Sequence, residues 1–528
     1  MAESQKFLFS FDLWTMPWIG LEKEDGGIER AGIEQTLLRA HEFRGIFEVS
    51  PLVVVGIHRL LTAILQQIFS PGSEEELKKL WSMPRVPKER VLEFGEKYRD
   101  RFDIFSPDKP FYQSADVSPV PEKGANIKSV AYLAPDIPSG TESTHYRHGI
   151  QADHMFCPTC AAGGLVYQPA FATSGGAGIK PSINGVPPFY VIPCGKNLLE
   201  SLLLSLVVPA YQPNARTTGV DLAWWERPPV IPRSFEVVSV GYLHSLTFQP
   251  RRIRLYPERV DGGVCSRCGE PMIVGVRQMI FDMGESRSKD APAWFDPFAA
   301  YKISDTKPPI PIRPVEGKAT WREYASLFLK KRAPETQEGR RRREEKTIRP
   351  AFLDQIANIQ EDEPSSLSLR CIGLRTDMKA KVFEWIDTGF EVPGSILGSE
   401  EAAYLIDRGL NFARDCAGTI AQVFRKSFGG SSSDANRYAQ LKSAMMDDYW
   451  RQLAVPFRTY VTGVASSEDM LIPHENWVNT VTAAAEAAFI QAAGAVGDQG
   501  DNLRKRFQGE KLCRLYLFTA RKKELNND

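Results

Sequence analysis

Hydrophobic and polar positions change rhythm along this chain. The opening Phe7-Leu8-Phe9-Ser10-Phe11-Asp12-Leu13-Trp14 alternates as a half-buried strand does, and Pro17-Trp18-Ile19 closes it. A short helix is predicted near 33–41. Ser50-Pro51 then supplies a helix start signal for the apolar run 52–68, whose spacing is helical. Segments 102–110 and 111–118 read as a loop and an edge strand. Residues 139–155 are polar and rich in Gly, Ser, Thr and His, which predicts another loop. The stretch 172–188 is the most glycine-rich, and an apolar helix is expected over 195–208. Alternation over 235–257 predicts paired strands, with a further strand over 271–281.

From about Glu384 the period becomes helical. Segments 399–428, 434–464, 477–496 and 503–523 are long helices by pattern, divided by Gly429-Gly430-Ser431-Ser432-Ser433 and other polar breaks. Alanine-rich 482–493 suits close helix packing, and short connections predict an antiparallel four-helix bundle. The expected fold class is therefore α+β: a mixed α/β domain over 1–383, followed by the bundle over 384–528.

At 528 residues the chain is long enough for two or three domains with real cores. Its 65 basic residues balance 65 acidic ones, whereas a nucleic-acid binder working alone usually carries a basic excess. Any such role must rest on local patches or on partners. Segment 330–349 holds nine Lys/Arg against four Glu, which suits a solvated helix or loop as well as it suits a grip by Arg340-Arg341-Arg342-Arg343 on phosphates. Near the C-terminus, Arg504, Lys505, Arg506, Arg514 and Arg521 offer a second basic face. The start of the chain has no charged leader with an apolar core, and no window runs to eighteen apolar residues. With scattered Cys194, Cys371, Cys416 and Cys513 reading as small buried hydrophobes, a soluble protein of the reducing cytoplasm with no membrane partner is expected.

The sharpest chemical signal is a pair of Cys-x-x-Cys knuckles, Cys157-Pro-Thr-Cys160 and Cys265-Ser-Arg-Cys268. Four thiols in two close pairs suit one tetrahedral, structural zinc that staples segments about a hundred residues apart. Disulfides or unpaired thiols are the alternative. Four cysteines already fill a tetrahedron, so no open catalytic position is implied. Other signals of catalysis are weak. Gly175-Gly176-Ala177-Gly178-Ile179-Lys180 lacks the order of a phosphate-binding loop, because Pro181 follows the lysine. Seven histidines are present; His145, His148 and His154 cluster before the first knuckle, as surface residues or as contacts to a polyanion, while His58 and His244 sit in apolar contexts and read as core. No enzyme is expected.

In order and spacing these features resemble one family, the CasA-type large subunit of the type I-E CRISPR surveillance complex Cascade. The resemblance rests on Trp18-Ile19, the 52–68 helix, Pro110-Phe111-Tyr112-Gln113, the two knuckles, the glycine loop, the 195–206 helix, Trp294-Phe295-Asp296-Pro297 and the terminal helices. It implies a non-catalytic subunit that holds the protospacer-adjacent motif (PAM) of foreign double-stranded DNA, helps open the duplex for guide-RNA pairing, and recruits the helicase-nuclease. The other Cascade subunits, the guide RNA, the target DNA and that effector would be its partners.

The resemblance also assigns residues. Tyr146, Arg147 and His148 occupy the DNA-sensing loop, where relatives carry an aromatic, an aliphatic and an amide; Arg147 and His148 depart from that pattern. Gly175, Gly176 and Gly178, with Lys180, would approach a groove or a phosphate closely. Arg375, Met378 and Lys379 occupy the wedge hairpin, with Met378 where relatives use an amide. Arg277 lies near a basic PAM contact. An ordinary turn remains the plainer reading of both the glycine loop and the wedge. The competing function is a zinc-stapled metabolic or nucleic-acid-processing enzyme, which predicts turnover by the isolated protein.

Overall fold

The computed structural model describes residues 9–119, 126–134, 153–174, 179–213, 221–228, 236–237, 240–288, 291, 293–304, 307–330, 346–360, 365–376, 382–429, 435–497 and 500–526. The chain forms two compact units. The first comprises Met1–Glu316, Glu345–Glu361 and Leu367–Val392; the second comprises Gly317–Glu344, Asp362–Ser366 and Pro393–Asp528.

The first unit is a mixed α/β body. It opens on a small antiparallel sheet of β1 (Ile19–Lys23), β2 (Ile28–Ala31) and β3 (Phe43–Ile46), with β1 central. Among the described residues the predicted strand before Pro17 is reduced to a single antiparallel bridge between Asp12 and Asp103. Asp12 accepts hydrogen bonds from Trp14 N (3.0 Å) and Thr15 Oγ1 (3.1 Å), so a local turn overrides the alternation and the strand begins only after the proline. Helix α1 (Pro51–Phe69) follows as foreseen, with proline in its first turn. Its mean hydropathy of 1.7 and its length would suit a membrane span, yet 83% of that window is buried inside the protein. It is a core helix.

Further along the unit come β4 (Ile127–Ser129), α2 (Pro158–Val166), β5 (Tyr190–Cys194) and α3 (Leu198–Leu204). An added Cβ at Gly56 would sit 2.6 Å from Val166 O, so only glycine lets α1 approach the end of α2. Buried glutamines satisfy backbone that no sheet reaches. Gln66 exchanges two hydrogen bonds with Val207 (3.0 and 3.1 Å), and Gln355 accepts from Val208 N (2.8 Å) and donates to Leu206 O (2.8 Å). Deeper still, Arg59 pairs with Asp296 at 3.0 Å, both almost wholly buried.

The longest feature is the hairpin β6 (Arg251–Val264) and β7 (Pro271–Met283), whose second strand also pairs with β4. Paired strands were expected over 235–257, but Tyr242–Leu246 is a short helix; the Asp221 carboxylate, far back in sequence, accepts from Leu243 N (2.8 Å) and His244 N (3.0 Å) and caps its first turn. Segment 111–118 is irregular rather than an edge strand. Gln113 reaches across in place of a strand, its side-chain oxygen accepting from Leu255 N at 2.8 Å. A last sheet orders β9 (Val382–Val392), β8 (Leu367–Thr376) and β5, all antiparallel; β9 runs through position 384.

The second unit is helical. Helices α4 (Glu400–Phe428), α5 (Ala435–Ser466), α6 (Leu471–Ala495) and α7 (Asp501–Leu525) match the predicted segments closely, except that α6 begins at Leu471 rather than at the expected 477. Ser399 caps α4 by accepting from Ala402 N at 3.1 Å. Buried aromatics join the helices: Tyr460 and Trp477 stack at 5.3 Å, Trp477 Nε1 donates to Gly409 O (2.9 Å), and Tyr449 donates to Ala413 O (2.8 Å).

Candidate metal centre and nucleic-acid interface

The two knuckles arrive by different routes. Cys157 is the residue preceding α2, with Pro158 in the first turn, and its Sγ accepts from Cys160 N at 3.5 Å. Cys265 and Cys268 lie in the turn joining β6 to β7. That turn is closed by Cys265 N to Glu270 O (2.9 Å) and Gly269 N to Cys265 O (3.0 Å), with Gly269 at φ +77, a left-handed conformation that glycine adopts without strain. Backbone pairing draws the two together: Phe156 and Val276 exchange bonds of 3.0 and 2.9 Å, and Ser266 N donates to Met155 O at 2.8 Å. Cys157 N also reaches Cys265 Sγ at 3.3 Å.

The four Sγ atoms end within 4.8 Å of one another, and Cys157 and Cys268 approach to 3.8 Å. A tetrahedron of thiolates at zinc–sulfur bonds of about 2.3 Å has sulfur–sulfur edges of about 3.8 Å. All eight cysteines are free thiols in this structure. Crowding separates the protonation of the cluster. Cys265 is driven toward thiolate by hydrogen bonds with Cys157 and Cys160, whereas Cys160 is held as a thiol by its hydrogen bonds to Cys157 and Cys265 and by burial. Four adjacent sulfurs cannot all ionise without a cation among them. Cys157, Cys160, Cys265 and Cys268 thus form a group able to hold a metal ion, and zinc suits the donor set.

The predicted nucleic-acid residues divide. Tyr146, Arg147, His148, Gly175, Gly176, Gly178, Met378 and Lys379 lie outside the described residues. So does the arginine run 340–343. Lys180 is half-buried, and its carbonyl accepts from Arg251 Nη1 at 2.6 Å. Arg277, on β7, bridges Asp153 and Glu258; hydrogen bonds first to Asp153 and then to Glu258 raise its pKa further. Arg375, on β8, pairs with Glu384 (2.9 Å) and Glu316 (3.3 Å). An anion reaching either arginine must compete with two carboxylates. Much of the C-terminal basic face is similarly engaged: Lys505 with Asp501 (2.7 Å), Arg506 with Glu510 (3.0 Å), Arg514 with Glu486 (2.6 Å) and Arg521 with Asn479 (2.6 Å).

Sequence reading missed these acidic partners, and no local signal names those of Arg277, since Glu258 reaches it across the hairpin and Asp153 beside the bridge between Phe156 and Val276. It also missed Arg251. Arg251 opens β6 and is buried, and no local signal distinguishes it from the exposed Arg259 on the same strand. Of the two histidines read as core, His58 is buried and lies 2.8 Å from Ser205 Oγ, while His244, on a helix, contacts buried Glu285 at 3.1 Å.

Comparison with known proteins then decides the lineage. The family model for CRISPR-associated protein Cse1 matches residues 12–488. The chain belongs to the Cse1 family. A relative described as CRISPR-associated protein CasA/Cse1 from Thermus thermophilus is 28% identical over 425 residues, covering 77% of this chain and 76% of its own. The solved Cse1 structure from Acidimicrobium ferrooxidans shares the fold at a TM-score of 0.77 and 22% identity, covering 98% of this chain and 99% of that one. A chain in a structure described as a CRISPR RNA-guided surveillance complex aligns at a TM-score of 0.72 and 20% identity, over 96% of this chain and 99% of its own. The family resemblance drawn from motif order is thereby established for this Cse1-family chain.

Proposed function

We propose that this Cse1-family chain is a non-catalytic subunit of an RNA-guided surveillance complex that senses the PAM of foreign double-stranded DNA, helps open the duplex for guide pairing and docks the helicase-nuclease. The observation that carries this reading is the family match over 12–488, joined to the fold shared with a chain of a surveillance complex. In such a division of labour base pairing reads the target, while protein reads only a short flanking motif. Zinc held by Cys157, Cys160, Cys265 and Cys268 would act as a structural staple, fixing residue 157 and with it the far end of the sensing loop that carries Tyr146, Arg147 and His148. The glycine loop ending at Lys180 and the hairpin turn after Arg375 supply the other contacts in this reading. The C-terminal helices, taken as an antiparallel four-helix bundle, form the second domain.

The test uses the complex assembled around this chain, with guide RNA and duplexes that differ only in the flanking trinucleotide. Affinity is expected to change by on the order of a hundredfold between the best and worst flanks, falling with salt as phosphate contacts require. Equal affinity for every flank would sink the reading, as would turnover of a small substrate by the isolated chain.

A further inference from the structure

We propose that Arg251 is the positioning residue of the glycine loop, a two-point clamp that fixes the distance between the loop's ends. This rests on the reading of that loop as facing DNA, and goes beyond it by naming what holds the loop in place. The two amino groups of the guanidinium diverge to the two sides of the loop: Nη2 donates to Thr173 O, and Nη1 donates to Lys180 O at 2.6 Å. The same Nη1 also donates to Pro250 O at 2.8 Å, which ties the fork to its own strand. Between Thr173 and Lys180 stand the three glycines predicted to approach nucleic acid.

Three observations set Arg251 apart from an ordinary buried arginine. First, it is only 3% exposed, and among the described residues no carboxylate pairs with it, so its charge is met by carbonyls alone. Burial holds its pKa down to about 10, which still leaves it protonated at neutral pH. Second, the face of its guanidinium lies 5.5 Å from the Phe281 ring on β7, so the fork cannot swing away without losing a packed neighbour. Third, the loop base is closed again just outside the clamp, where Ser182 N donates to Ala172 O at 2.8 Å. A glycine-rich segment loses more conformational freedom on ordering than any other. Charged hydrogen bonds to Thr173 O and Lys180 O limit that loss by fixing the two ends, without adding side chains to the segment between them. A lysine could not do this: its ammonium is a point donor, whereas the planar fork spans two acceptors at once.

The test compares Arg251→Gln and Arg251→Lys with the unaltered full chain by amide hydrogen exchange, and then measures flank discrimination in the assembled complex. Exchange of peptides covering 172–183 is expected to rise on the order of tenfold in both variants, with peptides from α1 and from α4 to α7 unchanged. Discrimination between flanks should fall together with it. Unchanged exchange over 172–183 overturns the clamp, whatever happens to binding. So does a rise of equal size throughout the chain, and so does full restoration by lysine. Raised local exchange with intact discrimination supports the clamp and instead removes the glycine loop from PAM reading.

Discussion

The two units of this chain are built in opposite ways. In the first, decisive contacts join residues remote in sequence and are often polar: Arg59 with Asp296 across 237 positions, Gln355 with Leu206 across 149, Cys157 with Cys268 across 111. In the second, Arg408 pairs with Glu524 across 116 positions, but aromatic residues close shorter spans, Tyr449 to Ala413 over 36 positions and Trp477 to Gly409 over 68. The contrast teaches where each unit is fragile. Losing one partner of a buried polar tether leaves the other unsatisfied in the core; helix packing spreads its stabilisation over many apolar contacts, so a single loss is felt as a cavity.

The largest expected effect is at the cysteine cluster. Cys157→Ser should abolish zinc binding, read by native mass spectrometry, and cost the first unit roughly 4–5 kcal/mol, the worth of a cross-link closing a loop of about a hundred residues. Hydrogen exchange should rise in α1 and α2 while α4 to α7 stay protected. An unaltered chain that purifies with its thiols intact and takes up no zinc would break the comparison at its strongest point.

Next comes Trp477→Ala, which removes a fully buried ring stacked on Tyr460 and a hydrogen bond to Gly409 O. A loss of about 3–4 kcal/mol confined to the second unit is expected by urea unfolding followed through exchange of its peptides. Equal destabilisation of both units would show that the chain unfolds as one body.

The smallest effect sharpens the polar character of the first core. Burial, and then the charges of Arg59 and Arg370, lower the His58 pKa to about 3 from an ordinary 6.5. Below pH 6.5 the unfolded chain takes up a proton at this position that the folded chain refuses, so its contribution is full above pH 6.5 and is lost as pH falls toward 3. Between pH 6.5 and 5 the first unit should therefore lose about 2 kcal/mol through this residue alone, a loss that His58→Gln abolishes. Parallel pH profiles for the two chains would show that His58 is reached by water in the folded state.

The same contrast explains what could be read in advance. The helices of the second unit were legible because their information is local: apolar period, polar breaks such as 429–433, alanine along α6. Helix α1 was legible for the same reason. The early strand failed because Asp12 captures its own backbone neighbours, and the paired strands expected over 235–257 are interrupted by a helix that Asp221 caps from outside the window, so that the long strand begins only at Arg251. At the candidate site the four cysteines announced themselves by spacing, yet the bridge between Phe156 and Val276 that brings them together has no signature in either segment. Arg277 and Arg375 looked like free cations because their acidic partners lie across a strand or in another loop.

By itself the sequence determined the helical C-terminal region and offered four cysteines spaced to hold a metal ion, because period and spacing are properties of neighbouring residues, while the order of its motifs carried the resemblance to the family. Only the tertiary structure decided which cations are already neutralised, that glutamines stand in for missing strands, and that one buried arginine holds both ends of the glycine loop. Those are contacts between segments tens to hundreds of positions apart, and no window along a chain contains both partners.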